Sequence, residues 1–284
     1  HWDFHLDPGW SIFAELVKYT HGSVRAVGCT LPLVLGGMSP IDARFLRRLG
    51  EQGALDCVDV LAVHGFPMDW NLWPLEEWPE RLDSIRSEFH KPVWITETGV
   101  SSFAGEEVAA WGLRRSREIL RGEKVYWYSL LDLAPEREAT TRHKSAEGSS
   151  YFRHFHFGLL RHDGTPKAAV RDFDPDFGIC QWFHFQDEAT LETAVDWFHR
   201  LGVREVRTGI SWGESFLPGA RAWFDTLMSA LDPFDVCVTL CFTPPSHGIR
   251  PDHTSPPRDV ADFGSFAAEM AHRYAVPEVP SGEQ

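Results

Sequence analysis

The chain contains no apolar run approaching the roughly 18 residues a membrane-spanning helix requires. It has no CxxC pair, and its five cysteines (Cys29, Cys57, Cys180, Cys237 and Cys241) are an odd number that resists reading as a disulfide framework. Cys180, Cys237 and Cys241 fall inside apolar, strand-like runs, so buried free thiols in a reducing, cytoplasmic compartment are the expectation. No GxGxxG or P-loop occurs, which argues against a nucleotide cofactor. His154-x-His156 is a histidine pair without an obvious third ligand, so no metal site is expected. Basic residues are outnumbered, 27 Lys and Arg against 41 Asp and Glu, for a net charge of −14. That balance disfavours a phosphate-binding or nucleic-acid-binding surface and suits a neutral ligand. No signal peptide is visible, although the chain opens on His1 rather than Met.

What is present is an alternation. Short apolar runs recur at Leu33–Met38, Val58–His64, Val93–Glu97, Val125–Leu130, Gly178–Phe185, Arg204–Ile210 and Val236–Phe242. Helix-like segments stand between them: Ile41–Gly50, Trp78–Phe89, Glu106–Leu120, Glu188–Leu201, Ala220–Leu231 and finally Val260–Tyr274. In the segment Glu188–Leu201, Leu191, Ala194, Val195, Phe198 and Leu201 are spaced by three and four, as one buried face requires. Strand and helix in turn imply βα units and a mainly parallel sheet. The length of 284 residues fits one α/β barrel of about 250 residues. The segment Asp132–His156 reads as a long polar loop, and Arg161–Pro175 as a junction between two halves, 1–171 and 172–284, of one barrel-like domain.

Chemistry concentrates at the ends of these runs, where a parallel barrel builds its active site. In Val93-Trp94-Ile95-Thr96-Glu97-Thr98-Gly99, alternation places Val93, Ile95 and Glu97 on one face. A buried carboxylate is costly unless paired or used, so Glu97 is either a reactive group or half of a structural ion pair. The twelve tryptophans supply flat apolar plates for the C–H faces of sugar rings or, equally, core packing. Trp127, Trp182 and Trp212 lie at or near strand ends, and Trp70 and Trp73 follow the second run. Gly209-Ile210-Ser211-Trp212-Gly213 matches GxSxG, the serine-hydrolase elbow, but Pro218 follows where a helix should begin and no oxyanion-hole glycine run precedes it. Glu214 follows the same strand and reads first as a solvent-facing loop residue.

Trp94-Ile95-Thr96-Glu97-Thr98-Gly99, followed by Val125-Tyr126-Trp127-Tyr128-Ser129-Leu130-Leu131-Asp132, resembles strands seven and eight of the clan A glycoside hydrolases. The segment His156–Lys167 resembles the closing stretch of those barrels, and Val60–Pro67 resembles strand six. Phe177–Phe185, Val203–Trp212 and Val236–Pro245 resemble strands one to three. The nearest resemblance is to bacterial β-xylosidase-like proteins related to family 39, and it covers nearly the whole chain in permuted order. It implies a (β/α)8 TIM-type barrel with seven strands present. It implies a retaining O-glycosyl hydrolase, β-xylosidase- or β-glucosidase-like, acting on a carbohydrate substrate without a cofactor. Glu97 would be the nucleophile, Arg207 and His64 would orient it, and Trp127, Trp212, His184 and Asp132 would bind sugar.

The sequence departs from that pattern at one point. The family's acid/base glutamate lies in Asn-Glu-Pro at the end of strand four. Here Asn71 is the sole asparagine and no Glu-Pro dipeptide occurs. The expectation is therefore a fragmentary or permuted barrel, impaired alone, with a tandem or flanking glycosidase domain supplying the missing strand. The alternatives are a non-catalytic carbohydrate-binding module and, more distantly, a serine esterase using Ser211.

Overall fold

The computed structural model describes residues 2–39, 42–67, 74–137 and 149–275. Asn71, Trp70 and Trp73 lie outside the described residues, as does part of the Asp132–His156 segment. The strands are β1 (Leu61–Gly65), β2 (Val93–Thr98), β3 (Val125–Tyr128), β4 (Gly178–Cys180), β5 (Glu205–Ser211) and β6 (Asp235–Cys241). They form one six-stranded sheet in the order β1-β2-β3-β4-β5-β6, with every neighbouring pair parallel. The fold is α/β, and the curled sheet makes a half-barrel of TIM-like kind. Pairing of β3 with β4 carries the sheet across the expected junction between the two halves.

The helices are α1 (Ser11–Ala26), α2 (Ala43–Glu51), α3 (Trp78–Phe89), α4 (Glu106–Ile119), α5 (Ser149–Arg153), α6 (Glu188–Leu201), α7 (Ala220–Leu231) and α8 (Val260–Tyr274). In α6, the Asp187 side chain accepts from the Thr190 N–H at 3.2 Å and caps the first turn. Gly202 ends the helix in the left-handed region at φ 66°. Its predicted apolar face packs into the common core, each fully buried Leu or Phe contributing about 1.5–3 kcal/mol.

The run Leu33–Met38 was expected as a strand and is corrected. It touches the sheet through two isolated parallel bridges, Val34 to Val60 and Met38 to Val63. Gly36 and Gly37 interrupt it, and glycine weakens a strand interior. Gly37 has a further reason to lack a side chain, because a Cβ there would lie 1.9 Å from His64 Nε2.

The other side of the sheet ends at β6, whose residues are all partly or fully exposed, while β5 beside it is almost wholly buried. Among the described residues β6 pairs only with β5. The helical layer nevertheless continues past this edge, because α8 packs on α1. Their approach is close enough that a Cβ at Gly264 would meet Ser23 Oγ at 2.9 Å and Tyr19 O at 3.4 Å.

Candidate active site

A bulge decides which way Glu97 points. Val63 pairs with Ile95 and the next residue, His64, pairs with Glu97, so Thr96 has no partner on β1. On the other side, Ile95 pairs with Val125 and Thr98 with Trp127, three steps along β2 against two along β3. One extra residue reverses the alternation. Val93 and Ile95 therefore do not share a face with Glu97, which corrects the simple period-two reading. Ile95 lies with Val125 and Trp127. Glu97 lies on the opposite face with Tyr128, Cys180 and Arg207, which register places side by side.

On that face three side chains meet. Arg207, on β5, donates from Nη1 to Glu97 Oε1 at 2.7 Å and to Cys180 Sγ at 3.0 Å. His64, at the end of β1, holds Nδ1 3.3 Å from Glu97 Oε2. The side chains of Arg207 and Glu97 are 10% and 22% exposed, so the pair is shielded but not sealed. Burial alone would push Glu97 up. His64 and Arg207 more than offset it, and the carboxyl stays below its ordinary range. Burial pushes the His64 imidazole down to about 4, despite the opposing pull of Glu97. At neutral pH the group is thus an ionised carboxylate between a guanidinium and a neutral imidazole.

Tyr128 was not singled out from the sequence. Burial, then the neighbouring Glu97 carboxylate, pushes its phenol up and keeps it protonated. Its signal was present, since Tyr126 and Tyr128 alternate with Trp127 along β3. Cys180 is likewise held as a thiol, pushed up to about 12 chiefly by burial.

The other expected residues are placed differently. Trp127 is 1% exposed and Trp212 2%, so neither offers a face to a sugar. Trp127 sits on the face away from Glu97, and Trp212 packs among His247, Phe263 and Phe266. Asp132 is drawn into a buried pair with Lys167 at 2.6 Å and also accepts from the Gly158 N–H at 2.9 Å. His184 is partly exposed after β4 and makes no hydrogen bond or ion pair with the Glu97 group among the described residues. Ser211 Oγ accepts from the Glu214 N–H at 3.1 Å, closing the turn after β5. The Glu214 carboxyl is partly buried, not solvent-facing as expected, and burial raises its pKa.

Among the described residues no group of three His, Cys, Asp or Glu side chains could hold a metal ion, and no helix is long and apolar enough to cross a membrane. The chain matches no protein-family model, and no curated protein sequence matches it. Several solved structures share partial likeness, among them the following three. A GH2 β-galacturonidase from Eisenbergiella tayi is 20% identical with a TM-score of 0.32, over 41% of this chain and 23% of that one. A family 39 glycoside hydrolase from the gut symbiont Bacteroides cellulosilyticus WH2 is 18% identical with a TM-score of 0.30, over 45% and 28%. A GH128 endo-β-1,3-glucanase from Amycolatopsis mediterranei is 19% identical with a TM-score of 0.28, over 44% and 56%. The chain thus spans less than two thirds of each of these proteins, and over less than half of its own length it is similar to glycoside hydrolases.

Proposed function

We propose that the chain carries the nucleophile half of a retaining O-glycosyl hydrolase site of β-xylosidase or β-glucosidase type. The observation that supports it is the Glu97 group: an ionised carboxylate at the C-terminal end of a parallel strand, aimed by Arg207 and His64 and left partly open. Glu97 attacks the anomeric carbon, the Oε–C1 bond forms, and the leaving group departs with the electron pair of the broken C1–O bond. Arg207 and His64 hold the carboxylate in position, and the Arg207 charge keeps it ionised at neutral pH.

A retaining site needs a second carboxyl about 5–5.5 Å from the first, to protonate the leaving group and later to activate water. The Asn-Glu-Pro that carries this second carboxyl in clan A glycoside hydrolases does not occur in the sequence. On this reading a flanking glycosidase domain supplies the missing strand beside the free edge of β6, and with it the acid/base. General acid assistance is worth about 10²–10⁴ in rate and matters least for a good leaving group. The chain alone is therefore expected to leave natural glycosides intact. A dinitrophenyl glycoside should give a burst of dinitrophenolate and a covalent label on Glu97, read by mass spectrometry and absent in Glu97→Gln. The second reading, a non-catalytic carbohydrate-binding barrel, rests on the same missing motif. Sugar binding without any burst or label would establish it in place of the first. Full turnover of an unactivated xyloside would show that a residue within the chain, Glu214 foremost, supplies the acid.

A further inference from the structure

Trp182 stands apart from the chain's other strand-end tryptophans. Trp127 and Trp212 are enclosed, while Trp182 remains partly exposed just beyond β4. Its ring lies against the backbone of β5 at Gly209, where a Cβ would come within 1.9 Å of Cζ3 and 2.8 Å of Cε3 and Cη2. Gly209 is two residues beyond Arg207 on the same strand and therefore on the same face. The indole thus occupies the layer directly above the Arg207–Glu97 pair, toward the C-terminal mouth.

Two features fix the ring there. The backbone beneath it is tied twice, as the Gln181 N–H donates to Arg207 O at 2.9 Å and Gln181 Nε2 donates to Trp182 O at 2.8 Å, while Gln181 Oε1 is itself held by the Leu131 N–H at 2.9 Å. Phe242 meets the indole edge-on, with centroids 5.1 Å apart. Phe242 itself lies in the left-handed region at φ 64°, an unfavourable conformation for a bulky residue that persists where surroundings impose it and that clusters at ligand sites. A glycine that makes room for a ring, and a strained aromatic that braces it, are costs with no return in core packing, because the ring stays partly open.

We propose that Trp182, seated on Gly209 and braced by Phe242, is the plate on which this chain binds the apolar C–H face of a neutral pyranose ring beside Glu97. A rigid aromatic surface offers large contact area at low entropic cost. Neutral sugars are favoured because, among the described residues, Arg207 and Arg137 are already paired with Glu97 and Asp187. Pyranoses whose hydroxyls are all equatorial, in the xylo and gluco configurations, present the flattest C–H face. This inference rests on the glycoside hydrolase reading but concerns ground-state binding rather than bond cleavage.

The test is calorimetric titration of the whole chain with xylotriose and with cellotriose. Wild type should bind at least one of them. Trp182→Ala should weaken that binding about tenfold or more, which is about 1.4 kcal/mol, and Trp182→Phe should recover part of it. Gly209→Val, which keeps the tryptophan but displaces its ring, should weaken binding comparably, so the result does not depend on one variant folding. Equal binding by wild type, Trp182→Ala and Gly209→Val would overturn the plate and leave the glycosidase reading standing. Failure of wild type to bind either sugar would also overturn it, and labelling of Glu97 by the dinitrophenyl glycoside would then decide whether that reading falls too.

Discussion

Glu97 and Asp132 are both carboxylates paired with a cation on the C-terminal side of the same sheet, yet they are built differently. The Glu97 side chain is 22% exposed. Two nitrogen partners outweigh the effect of burial, and its pKa lies below the ordinary value. Asp132 is 7% exposed and Lys167 3%. There burial outweighs the cation, and the Asp132 pKa lies above its ordinary value. Lys167 also donates to Ser102 Oγ at 2.8 Å, and Asp132 accepts from Gly158. The second pair is enclosed and fully used in holding the segment after β3 against the loop after β2. The first leaves surface uncovered and points toward the mouth. A charged pair at a strand end is thus not by itself a reactive site; what distinguishes them is access.

The largest expected effect breaks the enclosed pair. Asp132→Ala leaves the Lys167 ammonium buried without its counter-charge and should cost about 3–5 kcal/mol. Glu97→Gln keeps an oxygen for Arg207, which also retains Cys180, and should cost about 1–2 kcal/mol. Urea unfolding of the two variants measures both. Equal losses would erase the distinction.

The sequence made much of this legible, because hydrophobic period and strand-end chemistry are local properties. The helices Trp78–Phe89, Glu188–Leu201, Ala220–Leu231 and Val260–Tyr274 stand where their apolar spacing placed them. The meeting of Glu97, Arg207 and His64 was implied by the resemblance to clan A glycoside hydrolases and not by periodicity, since β3 and β4 stand between the strands of Glu97 and Arg207. What was not legible depends on pairing between strands. The bulge at Thr96 changes the facing of β2 and exists only relative to β1 and β3. Trp127 and Tyr128 are adjacent aromatics, and register alone tells which of them faces Glu97. Asp132 reads as a sugar-binding candidate in a string of letters because Lys167, its partner, is distant in the chain. The helix Ser11–Ala26, which the periodicity reading passed over, lies against α8 through the small residue Gly264.

Acid sharpens the contrast next. The folded-state His64 pKa is depressed from 6.5 to about 4, so between those values the unfolded chain binds a proton that the folded chain refuses. Stability must then fall as pH drops through that window, by on the order of 3 kcal/mol in total. Glu97 acts in the same sense lower down, since its stabilisation is present above the unfolded value of 4.5 and lost as pH falls through its depressed folded value. Asp132, with a raised value, acts oppositely: its protonated folded form gains relative to the unfolded chain as pH falls. Unfolding midpoints at pH 7 and pH 5 should show net loss at pH 5, and His64→Gln should flatten the difference. An unchanged slope in that variant would remove His64 from the account.

A smaller effect lies at Gly37. Alanine there drives a methyl into the imidazole, since its Cβ would lie 1.9 Å from Nε2 and 2.2 Å from Cδ2 of His64. Relief requires the ring to turn from Glu97 or the backbone to shift, at about 1–3 kcal/mol. The expected signature is a lowered melting temperature with slower labelling of Glu97. A fall in stability with labelling unchanged would mean that His64 packs beside the carboxylate without positioning it.

The smallest effect separates the two nucleophile readings. Ser211 sits at the end of β5 with its hydroxyl 3.1 Å from the Glu214 amide, and the residue is 3% exposed. A serine nucleophile on a strand-to-helix elbow presents its oxygen outward, whereas this one is turned inward and used by the backbone of its own turn. Ser211→Ala should therefore cost about 1 kcal/mol, the worth of one hydrogen bond, and should leave Glu97 labelling by the dinitrophenyl glycoside at the wild-type rate. Any p-nitrophenyl acetate hydrolysis by the chain should likewise persist. Loss of acetate hydrolysis in Ser211→Ala together with its retention in Glu97→Gln would reverse the assignment, making the GxSxG turn the reactive element and the Glu97–Arg207 pair a second structural strut like that of Asp132.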